Sequence, residues 1–198
     1  TELGELTKKE QQSFDWHDMV VTLIGYRASG KSSVAPRLAK RLGWSWFDSD
    51  VVIEQQAGVS IKDIFQHEGE VGFRKRESEV LADLLQKSNA VVASGGGAIL
   101  SEENRRLIKA SGLVVWLQAP VDVLVRRLGG DHMSTQRRPS LTGKPIGTEV
   151  AEVLAFREPL YRECATLIVD AGTERPEQMA RRIADYVTSL RETQEKST

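Results

Sequence analysis

The chain has 198 residues, 40% of them hydrophobic, which is enough for one well-packed domain and too few for two full ones. Its 27 basic and 28 acidic side chains leave a net charge of −1. The arginine pairs (Arg105-Arg106, Arg126-Arg127, Arg137-Arg138, Arg181-Arg182) are scattered and matched by acids, so neither a nucleic-acid-binding stripe nor an anionic-membrane patch is expected. The single cysteine, Cys164, rules out an intramolecular disulfide and fits a reducing, cytoplasmic setting, and no apolar run approaches the length of a membrane span.

Residues 1–18 are polar without a sustained period and are expected to form a flexible extension. "MVVTLI" (19–24) is short, apolar and β-branched, the pattern of a buried parallel strand. Similar runs recur as "WSWF" (44–47), "AVVAS" (90–94), "LVVWL" (113–117) and "TLIVD" (166–170). Helical patterns lie between them. One runs from Lys31 to Leu42, with an awkward Pro36 inside it. A long one runs from Ser60 to about Lys87; Ser60 to Asp63 reads as a capping box, and Gly69 and Gly72 are expected to split the region in two. Ser101 opens a further helix to Ala110, and Pro176 the last one, ending near Leu190. Residues 129–148 are rich in Gly, Pro, Ser and Thr and read as a long functional surface loop, a mobile lid. Strands alternating with helices predict a three-layer α/β/α domain over 19–190 with a central, mainly parallel sheet, followed by a polar tail at 191–198.

The stretch that carries chemistry is "GYRASGKS" (25–32), between the first strand and the first helix. Its glycines let backbone N–H groups turn inward around phosphate oxygens, and the helix adds its N-terminal dipole. Gly25, Ala28, Ser29, Gly30, Lys31, Ser32 and Ser33 are therefore the predicted nucleotide-phosphate cradle, with Lys31 on the β/γ charge and Ser32 on Mg2+. In open α/β sheets ligands collect at the carboxyl ends of strands. The second strand is followed by Asp48-Ser49-Asp50. In an extended chain both carboxylates face one side, about 7 Å apart, one able to hold a metal's water shell and the other to accept a proton. They read equally well as N-cap acids of a helix over 50–57. Gly95-Gly96-Gly97 follows the third strand, either a close-approach site for a ligand or a flexible turn. Arg74 and Arg157, taken singly, read as surface ion-pair partners.

Together these pieces resemble the shikimate kinase family. The resemblance runs from about Val20 to Val187 through "GYRASGKS", "FDSDVVIE", "IFQHEGEVGFRKRE", "VVASGGG", "RRPSL" and "FREPLYRECA", in the family's order. It implies a nucleoside-monophosphate-kinase-like fold and transfer of the ATP γ-phosphoryl group to the 3-hydroxyl of shikimate. It further implies Asp48 in the outer shell of Mg2+, Asp50 as shikimate ligand and base, and Arg74 and Arg157 on the substrate carboxylate. Gly95, Gly96 and Gly97 would line the substrate, Arg127 would lie near adenine, and Arg138 would reach the phosphates from the lid. Three positions depart from the pattern: Ser140 replaces the usual Leu, Arg137 competes with Arg138, and Glu174 with Arg175 stands where another nucleotide-side arginine is common. The expected protein is a cytoplasmic, monomeric kinase with ATP, Mg2+ and a small-molecule substrate. A kinase of another polyol acid such as gluconate, or a catalytically silent nucleotide-binding regulator, are the rival readings.

Overall fold

A computed structural model of the chain describes residues 18–130 and 144–196. Five parallel strands form one sheet: β1 (Val20–Ile24), β2 (Ser45–Asp48), β3 (Ala90–Ala93), β4 (Gly112–Gln118) and β5 (Leu167–Asp170), in the order β2-β3-β1-β4-β5. All five apolar runs of the sequence are strands. β1 is central; Val21 pairs with Val91 on one side and Leu113 on the other. The chain leaves β1 toward one edge of the sheet and later crosses to the other, so the switch point of the topology lies beside β1.

Alternation along each strand feeds two cores. Val21, Leu23, Val91, Val115, Leu117 and Val169 face one layer, with α1 (Lys31–Leu42), α5 (Val121–Gly130) and α7 (Pro176–Glu195) packed on it. Val20, Ile24, Val92, Val114 and Trp116 face the other, against α2 (Ser49–Ala57), α3 (Ile61–Leu84), α4 (Glu102–Ala110) and α6 (Ile146–Cys164). Each fully buried Leu, Ile or Val contributes about 1.5–3 kcal/mol, so both faces are needed to hold the layers.

Several boundaries differ from the sequence reading. Asp48 ends β2 and α2 opens at once with Ser49, so the chain is not extended through Asp50. In α3 only Gly69 breaks the helix, with φ 68° and ψ −173°; Gly72 is helical. The expected loop at 129–148 is narrower, because Gly129 and Gly130 finish α5 and residues 146–148 begin α6. Its middle, with Arg137 and Arg138, lies outside the described residues. Helix α7 runs past Leu190 to Glu195, where Arg191 bonds Asn89 and stacks over Trp44. The Ser60–Asp63 capping box forms as expected, and Pro36 sits inside an unbroken α1.

Candidate active site

The phosphate loop joins β1 to α1 at the switch point. Gly25 takes φ 141°, and a Cβ there would stand 2.8 Å from the Leu117 carbonyl oxygen, so no larger residue fits. Gly30 is the N-cap of α1 in a left-handed conformation, without a side-chain cap, and the first turn carries no acid. No cap side chain or first-turn acid therefore competes with an anion at that helix start. Lys31 is 9% exposed and its Nζ donates to the carbonyls of Gly25 (2.7 Å) and Tyr26 (2.9 Å), folded back along the loop it is expected to serve. Ser29 is buried, and Ser33 begins the helical bonding with its N–H to Gly30 O. Arg127 reaches in from α5, donating to Ala28 O (3.4 Å) and Ala171 O (2.8 Å). It thus bridges the loop to the turn after β5.

The cap reading of Asp48 holds, and its second oxygen meets the phosphate loop. Its Oδ1 accepts from the Asp50 N–H (3.0 Å), capping α2, while its Oδ2 accepts from Ser32 Oγ (2.5 Å). One carboxylate thereby joins the cap of a helix to the hydroxyl expected to ligate Mg2+. Asp50 is half-buried in the first turn of α2. It does not share a strand face with Asp48, because the helix starts between them. Sequence reasoning missed Ser49, which is 1% exposed and accepts from the Gly95 N–H (2.9 Å), pinning the start of α2 to the glycine loop.

The glycine loop in turn gathers the two arginines. Gly96 O accepts from Arg157 Nη1 (3.1 Å) and from the Tyr161 hydroxyl (2.6 Å). A Cβ on Gly97 would fall 2.5 Å from Arg74 Nη1, so a side chain there would push that guanidinium away from its present place. Arg74 donates to Glu77 (2.6 Å), which is buried, and to Glu70. Burial opposes its charge, but these carboxylates outweigh burial and raise its pKa above the ordinary value. Arg157 is 7% exposed, and its Cζ lies 6.0 Å from the centre of the Tyr26 ring. Burial pushes the Tyr26 phenol above its ordinary pKa, partly offset by the charges of Arg27 and Arg157. Behind the loop the Tyr161 ring stacks on buried Trp116, centroids 5.7 Å apart, and Arg162 covers the indole. Arg74 and Arg157, unremarkable singly in sequence, meet the same three glycines. Tyr161 and Glu77 were not singled out; their spacing from Arg157 (i+4) and Arg74 (i+3) was the available signal.

A phosphate cradle, a serine-carboxylate pair and two guanidiniums converging on a glycine turn at the strand ends define a P-loop phosphotransferase acting on a small anionic acceptor. The shikimate kinase family model matches residues 27–188. A shikimate kinase of Rhodopirellula baltica is 49% identical over 150 residues, covering 76% of this chain and 80% of that protein. Shikimate kinase 2 of Serratia proteamaculans is 44% identical over 163 residues, 82% and 92% of the two chains. The structure of a shikimate kinase from Acinetobacter baumannii in complex with shikimate superposes with a TM-score of 0.80 at 34% identity, covering 91% of this chain and 97% of that one. The chain belongs to the shikimate kinase family. It is an ATP-dependent kinase that transfers the γ-phosphoryl group to the 3-hydroxyl of shikimate.

Proposed function

We propose the following division of labour for that reaction. Gly25, Ala28, Ser29, Gly30, Lys31, Ser32 and Ser33 hold the ATP phosphates, with Lys31 leaving its loop carbonyls for the β- and γ-oxygens. Arg127, already against Ala28 and Ala171, flanks the nucleotide base. Arg74, Arg157 and the Gly95–Gly97 turn hold the carboxylate side of shikimate, since a guanidinium fork fits a planar carboxylate. Asp50 orients the 3-hydroxyl and takes its proton as oxygen bonds to the γ-phosphorus and the bond to the β-phosphate bridging oxygen breaks. Arg138 supplies positive charge from the segment before α6.

The residues present fit Mg2+. Among the described residues no three His, Cys, Asp or Glu side chains form a metal cage. Mg2+ characteristically uses one or two protein oxygens, substrate phosphates and its own waters. Ser32 would ligate it and Asp48 hold its water shell, and the bound ion would neutralise charge on the phosphates. Among the described residues no helix is long and apolar enough to cross a membrane. A cytoplasmic monomer without nucleic-acid or membrane partners completes the reading.

The observation that carries this assignment is the Gly95–Gly97 turn, which touches Ser49, Arg157 and Arg74 at once. ADP release with and without shikimate, with gluconate as control, tests it. Shikimate should drive turnover; equal turnover with gluconate, or ATP binding without acceptor-dependent turnover, would sink it. Asp50→Asn should lower kcat by about 10²–10⁴-fold with little change in thermal stability. Near-normal turnover in that variant would remove Asp50 from the mechanism.

A further inference from the structure

Arg27 lies in the phosphate loop, and the roles above leave it unused. Its Nη2 donates to Glu149 Oε1 at 2.6 Å, with side-chain exposures of 16% and 2%. Its Nε is buried without a hydrogen-bond partner. Glu149 stands in the first turn of α6, the helix that carries Arg157 and Tyr161. All three are buried, and spacings of eight and twelve residues place them along one i+4 row that winds part-way round that helix. These residues meet the strand-end loops twice: Arg157 and Tyr161 donate to Gly96 O of the glycine turn, and Glu149 accepts from Arg27 of the phosphate loop. The two attachments adjoin, because a Cβ on Gly96 would lie 3.3 Å from Arg27 N. The Tyr26 ring sits between them, 5.8 Å from the Arg27 Cζ and 6.0 Å from the Arg157 Cζ.

We propose that Arg27 and Glu149 are a positioning pair that fixes α6, and with it Arg157, in register with the phosphate loop. A buried ion pair is a poor device for stability, since desolvation consumes most of its attraction and apolar side chains of similar volume do as well. What it supplies over apolar packing is direction: one charged hydrogen bond fixes how far the helix is slid and turned. Donor and acceptor are held on different elements, the phosphates on the loop and the shikimate carboxylate in part on α6, through Arg157. Their separation sets the approach of the 3-hydroxyl to the γ-phosphorus, and a misplacement of about 1 Å can cost about 10²-fold in rate. This rests on Arg157 gripping the acceptor as proposed above.

Three variants of the full chain test it: Glu149→Gln, Arg27→Lys and the apolar double Arg27→Met/Glu149→Leu, with Arg157→Ala in parallel. In the first three, the rate of phosphoryl transfer in single turnover should fall about 10–100-fold, while Kd for ATP and for shikimate stays within about twofold. The double variant should recover the parent's Tm and still transfer slowly. Recovery of both Tm and rate would overturn the proposal, leaving the pair as packing. So would a loss confined to ATP affinity, which would make Arg27 a nucleotide ligand. A double variant that unfolds also counts against it, because the pair would then be holding the fold. Arg157→Ala separates the two readings: unchanged shikimate Kd there removes the acceptor assignment, whatever the pair does.

Discussion

Arg157 shows how the meaning of a side chain depends on its surroundings. In sequence it is one of many arginines; in the fold it is nearly buried and bonded to Gly96, the neighbour of the Gly97 that Arg74 lies against. Removing one charged hydrogen-bonding partner typically costs about 1.5–3 kcal/mol. Arg74→Ala and Arg157→Ala should therefore raise the shikimate KM by about 10- to 150-fold, with the ATP KM nearly unchanged in steady-state kinetics. A fall in ATP affinity instead would move these arginines to the nucleotide side. The loop carrying Lys31 and Ser32, and the cap at Asp48, were readable because they are written in local spacing. Ser49, Tyr161 and Arg27 were not, since their contacts join residues 46, 65 and 122 positions apart.

Among the elements, α2 illustrates how structure and chemistry share a residue. Asp48 caps the helix with one oxygen and receives Ser32 with the other. Asp48→Asn keeps an oxygen for the cap but loses the charge; Asp48→Ala loses both. Thermal melts should show Asp48→Ala destabilised by about 0.5–2 kcal/mol and Asp48→Asn close to parent. Both should lose turnover, and their activity should need more Mg2+. Equal stability in the two variants would mean that the cap bond contributes nothing. Reading both acids as neighbours on one strand face failed because Ser49 and Asp50 already belong to the helix. Helices α5 and α6 went unassigned for different reasons. The first runs into the glycine-rich stretch that reads as loop. The inward face of the second carries Glu149, Arg157 and Tyr161, which interrupts the apolar period on which helix recognition depends.

At the scale of the molecule, the five strands and the two-faced sheet follow from apolar runs separated by helical ones, whereas the strand order rests on pairings far apart in sequence. Burial also ties the whole fold to pH at the alkaline end. Cys164 is buried on α6, and burial pushes its thiol from 9.0 up to about 11. Between those values the unfolded chain has given up a proton that the folded chain keeps. The unfolded state then binds fewer protons, so stability falls as pH rises. Tyr26, raised above 10.0 by burial, acts in the same direction. Chemical denaturation should therefore show stability declining from about pH 9 toward 11, with the slope shallower in Cys164→Ala. A slope that persists undiminished in that variant would assign the effect elsewhere.

The stack of Tyr161 on Trp116 has an optical consequence. The indole is 1% exposed and shielded from water, while the phenol stacked on it bonds the carbonyl of Gly96. With shikimate held at the glycine turn as proposed, a rearrangement of that peptide would pass through one ring to a buried fluorophore. Titrating shikimate into the nucleotide-free protein should shift or quench tryptophan emission. The change should survive Trp44→Phe and Trp46→Phe and vanish in Trp116→Phe, so that occupancy of the acceptor site can be followed by light alone; a signal that outlasts the loss of Trp116 would have to come from another indole.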